Sequence, residues 1–187
     1  QVVQKRTRQI KAALNKIEKH NIAMEQVLFN VISINPNIDG KFAIEVSELA
    51  SKLARIARLE KDEIKHVRYA GLICELGLLG LETEDFKAPF SKLKYQQQQN
   101  YLSQTKQAAL ILAPAHELHQ VSDIIEFQFE HYNGSGFYNK VAKEIPAGAR
   151  ILAIARDYWR LVTGRMSGIE MSPRDAKLEM KKHRNTR

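Results

Sequence analysis

Between Glu130 and Trp159 the chain reads EHYNGSGFYNKVAKEIPAGARILAIARDYW, a polar loop with two glycines and three aromatic residues that leads into an apolar helix carrying an arginine, Arg156. Asn133, Gly134, Ser135, Gly136, Phe137 and Tyr138 form a candidate partner-binding loop. Its glycines suit unusual backbone angles, and its aromatics suit exposed anchors. His116 and His119 flank Glu117 at helical spacing, so both imidazoles could face one metal ion. No third ligand accompanies them at a fixed spacing, and the pair reads as surface histidines.

Cys74, the one cysteine, lies in an apolar stretch with no neighbouring group to lower its pKa, and reads as a buried structural thiol. His131 suits either a contact to a nucleotide or partner or an exposed helix end, and His20 reads as solvated. Phe127, Phe129, Tyr158 and Trp159 have a spacing that fits core packing before it fits an aromatic pocket.

Helices must position these groups. Val3, Thr7, Ile10, Leu14, Ile17, Asn21, Met24, Leu28 and Val31 are separated alternately by four and three residues, which predicts a leading helix over 1–34 with a heptad seam. Asn21 falls at an a position, where a buried amide fixes register in a two-stranded pairing. The same stripe also suits a helix packed on its own domain.

NPNIDGK (35–41) breaks that helix. Ile44, Leu49, Leu53 and Ile56 predict one face of a second helix, and Ile64, Val67, Ala70 and Leu72 that of a third, which leads to Gly77 and Gly80. One or two helices stop before Pro114, another carries Leu118, Val121, Ile125 and Phe129, and Pro146 sits early in the next. Ser172, Pro173 and Asp175 open a last helix. No period-2 segment occurs, so the expected class is all-α: one bundle over 40–187 behind a long helix.

The chain has 187 residues, 44% of them hydrophobic and 27% charged, enough for one domain with a sizeable core and an appendage. A net charge of +8 raises nucleic acid as a partner. Residues 1–20 hold six Lys/Arg against one acid and residues 171–187 hold six against two, leaving 17 bases and 18 acids in the 150 residues between. Basic character thus belongs to the ends, and a nucleic-acid groove is not expected. No run is long enough to span a membrane, the first residues QVVQKRTRQIKAALNK lack the apolar core and cleavage site of a signal peptide, and the cysteine count points to the cytoplasm. The last residues, MKKHRNTR, read as the cut edge of a longer protein.

The order of segments resembles the HD-GYP family, the bacterial signalling branch of the HD-domain phosphohydrolases that hydrolyses cyclic di-GMP. The likeness covers roughly residues 40–187. It rests on Glu130, on Tyr132-Asn133-Gly134-Ser135-Gly136-Phe137-Tyr138, and on Ile145-Pro146-Ala147-Gly148-Ala149-Arg150-Ile151. The family's loop ends in Tyr-Pro where this chain has Phe137-Tyr138.

The resemblance implies imidazoles and carboxylates converging on two or three divalent metals that activate a water. Those ligands fall on Phe42, on Cys74, Glu75 and Leu78, on Gln104, on Gln128 and Phe129, and on Arg156. Glu75 alone keeps ligand chemistry, and one carboxylate does not hold a catalytic metal. Neither a metal nor another cofactor is therefore expected. Arg156 is expected to replace the metals as counter-charge to Glu75 or another buried acid, with a stem reaching to solvent as the alternative.

The resemblance implies a signalling output or scaffold domain, within a response regulator, that pairs through its leading helix. It also implies that the loop lies near contacts with diguanylate cyclase-type proteins. An atypical cyclic di-GMP phosphodiesterase, and cyclic-dinucleotide binding without hydrolysis, are the two alternatives.

Overall fold

The computed structural model describes residues 2–183 and contains seven α-helices among them: α1 Val2–Ile34, α2 Gly40–Ile56, α3 Lys61–Leu72, α4 Tyr95–Leu112, α5 His119–Glu126, α6 Ala147–Val162 and α7 Pro173–Lys182. Short 3₁₀ turns link them, one of which covers Leu76–Gly80. No strand occurs among the described residues, only one isolated bridge between Asn133 and Val141. The expected all-α class holds. The stretch 184–187, part of the expected cut edge and of the domain expected over 40–187, lies outside the described residues.

The breaks follow local chemistry. The Asp39 carboxylate accepts the Lys41 N–H at 2.9 Å and starts α2. Glu63 reaches back to the Glu60 N–H at 2.9 Å and starts α3. Ser172 accepts from the Asp175 N–H, with Pro173 as the first residue of α7. The helix expected to carry Leu118 through Phe129 is shorter, because α5 ends at Glu126 and Gln128 and Phe129 beyond it are buried.

The buried face of α2 also differs from expectation. Ile44 and Ile56 are exposed, Ile56 at 78%, while Phe42, Ala43, Val46, Ser47, Ala50, Ser51 and Ala54 face the core. Small side chains win there because α3 crosses very close. A Cβ on Gly71 of α3 would stand 2.5 Å from the Ser47 Cα, and the Ser47 hydroxyl donates to the Arg68 carbonyl at 2.7 Å. Val67, Ala70, Ile73, Ile125 and Leu152 complete the centre, with α6 running through the bundle against α2 and α3.

The leading helix is seated at one end only. Ile32 is buried, Leu28 packs against the core, and Glu25 and Glu18 pair with Arg68 and Lys65 of α3. Burial pushes the Glu25 carboxyl up, against the pull of Arg68. Further out, Ile10, Leu14 and Ile17 are 60%, 58% and 57% exposed, and Asn21, Met24 and Val31 are exposed as well.

Gly77 is a second close approach, with a Cβ placed 1.8 Å from the Gln104 carbonyl oxygen of α4. Gly77→Ala must push backbone against backbone and is expected to destabilise the fold by about 3 kcal/mol. Urea unfolding of the variant beside wild type measures it.

Candidate functional site

Of the eight positions assigned by resemblance, Phe42, Glu75, Gln128 and Phe129 meet one of two arginines, Arg156 itself or Arg165. Arg156 is buried and donates to the Gln128 carbonyl at 2.6 Å, the Gln128 side-chain oxygen at 3.2 Å and Asp157 at 2.8 Å. Its guanidinium carbon lies 4.2 Å from the Phe129 ring centroid. Gln128 in turn donates to the Cys74 carbonyl at 3.1 Å. Arg156 is thus not a snorkelling side chain, and the acid it pairs with is the half-buried Asp157 rather than Glu75.

Glu75, 6% exposed, accepts instead from Arg165 at 2.6 Å, a residue that sequence reasoning passed over. Arg165 lies after α6 and covers the Phe42 ring at 4.0 Å, with Asp39 at 3.7 Å from its other amino group. It thereby joins two of the assigned positions that are 33 residues apart in sequence. No local spacing announces that contact, because α6 and α2 meet only in the folded chain. Arg160, one turn beyond Arg156 and on the same face, is also buried, and that i, i+4 spacing was the available signal.

The remaining positions are filled with packing. Leu78 is core, and Gln104 donates to the Tyr101 carbonyl at 3.0 Å while its own oxygen has no hydrogen-bond partner. Burial pushes the Cys74 thiol up to about 12, with the Glu75 charge adding to the effect, so it stays protonated at neutral pH. Burial also pushes the Glu75 carboxyl up, and Arg165 opposes this only in part. His116 and His119 are exposed, His119 beside Asp123 at 3.5 Å.

The residues present do not fit a catalytic metal. Glu75 is committed to a guanidinium, and no group of three or more His, Cys, Asp or Glu that could hold a metal occurs among the described residues.

The glycine loop is organised by Glu130, whose two carboxylate oxygens accept the Tyr138 N–H at 2.6 Å and the Lys140 N–H at 2.7 Å. Asn133 accepts from the Ser135 N–H and hydroxyl, and that hydroxyl meets His131 at 2.9 Å. Gly134 has φ of +81°, as expected of a loop glycine, but Gly136 is required by proximity, since its Cβ would lie 2.6 Å from the Glu130 Cα. Phe137 and Tyr138 are not exposed anchors. They are half-buried against each other, with Tyr138 edge-to-face against Phe127 and bonded to Thr105 at 3.2 Å, while Tyr132 is the exposed aromatic. Phe129 lies under Arg156, Phe127 faces Tyr138, and Tyr158 and Trp159 pair with each other, so the four form no common pocket.

The sequence pattern of the HD domain matches residues 6–187, and the chain belongs to that family. The fold is shared with Bd1817, an HDG"Y"P protein from Bdellovibrio bacteriovorus, at 18% identity and a TM-score of 0.65 over 80% of this chain. This chain spans 48% of that protein's length. No curated protein matches it.

Two outcomes follow from the arginine pairs. Arg156→Met orphans the buried Gln128 oxygens and is expected to lower unfolding free energy by about 3 kcal/mol, read by chemical denaturation. Glu75 has a folded pKa above its ordinary 4.5, so its ionisation destabilises the fold as pH rises from there through the raised value. Glu75→Gln lacks that loss, and its stability relative to wild type is expected to improve between pH 4.5 and neutrality in unfolding curves taken at each pH.

Proposed function

We propose that this chain is a non-catalytic, HD-GYP-like member of the HD-domain family, a signalling output or scaffold domain that acts by binding other proteins. The observation that carries the reading is the commitment of Glu75 to Arg165, with the same guanidinium covering Phe42. A dication would have to displace a bonded cation, and would meet the fixed charge of Arg156 as well. The fold shared with an HDG"Y"P protein supports the family branch, and the glycine loop with the Ile145–Ile151 stretch carries the sequence resemblance to it.

The leading helix supplies the input. Its outer apolar residues stand exposed along a heptad seam, and each Leu or Ile fully covered by a second copy would contribute about 1.5–3 kcal/mol. Because Glu25, Leu28 and Ile32 tie its far end to the core, a change in helix pairing reaches the domain mechanically. Residues 1–34 then serve as the dimerising unit and 40–187 as the output unit. The surface around Tyr132 and Asn133–Tyr138 is the face offered to a partner such as a diguanylate cyclase-type protein.

Sedimentation is expected to show a dimer that becomes monomeric in Ile10→Asp/Leu14→Asp with helical content kept. Purified protein is expected to carry no stoichiometric Fe or Mn and to leave cyclic di-GMP intact. A metal-loaded protein that cleaves it would establish the phosphodiesterase reading instead.

A further inference from the structure

An apolar groove of about 890 Å³ lies between α6, α7 and the segment that follows α2. Along α6 it is lined by Ala147, Arg150, Ile151, Ile154 and Leu161, a single stripe at helical spacing. Leu59, Met166 and Met180 add apolar surface from outside that helix. Ile154 is 49% exposed, a large apolar side chain left open to water. A concave, largely apolar space of this size suits a small molecule with an apolar body.

The charges around the groove say which kind. Its acids are already taken: Glu130 holds two loop N–H groups, Asp157 pairs with Arg156, and Glu179 pairs with Lys182 at 2.6 Å and lies 3.7 Å from His183. His131 is engaged by the Ser135 hydroxyl. Arg150 is different. Its Nε is buried without a hydrogen-bond partner, and no carboxylate pairs with its guanidinium among the described residues. The exposed Lys181 adds a second positive charge to the lining. An uncommitted guanidinium beside apolar surface is matched by an anionic head on an apolar body, and a carboxylate fits its planar fork.

We propose that this groove binds a fatty acid, with the carboxylate on Arg150 and the chain laid along the apolar stripe of α6 toward Leu161. Those two residues are eleven apart in sequence, which is about 16 Å along the helix axis and close to the span of an extended dodecanoate. Of the positions assigned by resemblance only Arg156 lines the groove, and its guanidinium is committed to Gln128 and Asp157. The site needs neither helix pairing nor a protein partner, so its failure and the failure of the scaffold reading are separate results.

The test is a titration of the full chain, labelled with ¹³C at its methionine methyl groups, with dodecanoate below its micellar concentration. Met166 and Met180 line the groove, whereas Met24 stands on the exposed stripe of α1. The expected result is saturable movement of the Met166 and Met180 signals with Met24 unmoved. Dodecanol on the wild type, and dodecanoate on Arg150→Met, are each expected to bind at least about tenfold more weakly. Ala153→Trp, which fills the groove and leaves the guanidinium in place, is expected to weaken dodecanoate binding by at least as much. If Arg150→Met does not fold, the comparison of dodecanoate with dodecanol on the wild type decides. Absence of saturable movement, equal binding of dodecanol, binding kept in either variant, or movement of Met24 in step with the other two signals overturns the proposal.

Discussion

A guanidinium withdrawn from water must find acceptors or ring faces, and α6 carries two of them, Arg156 and Arg160, into the bundle while Arg165 follows just beyond. Much of the site's arrangement answers that demand. Gln128 turns its carbonyl and side chain to Arg156, Phe129 lies beneath it, and Glu75 is drawn to Arg165. Phe90 and Tyr101 set their rings beside Arg160. In an HD-domain fold, where metal-centred chemistry is the family's implied habit, fixed organic cations here occupy the surroundings of Glu75 and impose a different set of partners.

These cations are held by backbones brought unusually near one another. Gly71 against Ser47 sets the α2–α3 crossing, Gly77 against the Gln104 carbonyl sets α4 beside the turn that carries Cys74 and Glu75, and Gly148 lets Ile124 and Val67 reach α6. The core is made largely of Ala, Ile and Leu, with Ala and Ser where helices approach most closely, and leaves little room for a residue to change size. Charge is therefore placed on a rigid frame. The loop is similarly rigid, since the Glu130 carboxylate bridges two of its backbone N–H groups and makes the loop's shape depend on a buried residue rather than on solvent.

The leading helix is the opposite case. It is tied to α3 by Glu25–Arg68 and to the core by Leu28 and Ile32, while its outer apolar stripe stands exposed among the described residues. A helix so divided joins a firm attachment to an open surface. Tension between the two is what would let events on the stripe be felt in the domain.

Helix-forming segments, their breaks and the all-α class were legible in the sequence, because capping residues, prolines and apolar spacing act over a turn or two. The caps at Asp39 and Ser172 and the buried stripe of α3 are of that local kind. The small-residue face of α2 was not legible, since the larger Ile44 and Ile56 dominate any hydrophobic reading and only the nearness of α3 reverses the choice. Likewise the resemblance singled out Glu75 and Arg156, yet their partners, Arg165 for one and Gln128 with Asp157 for the other, depend on contacts between residues far apart or on a side chain's final direction. Sequence alone determined which residues could carry charge into the core. Tertiary structure decided which of them meet, because Coulomb attraction and hydrogen bonding act over a few ångströms and only packing sets that distance.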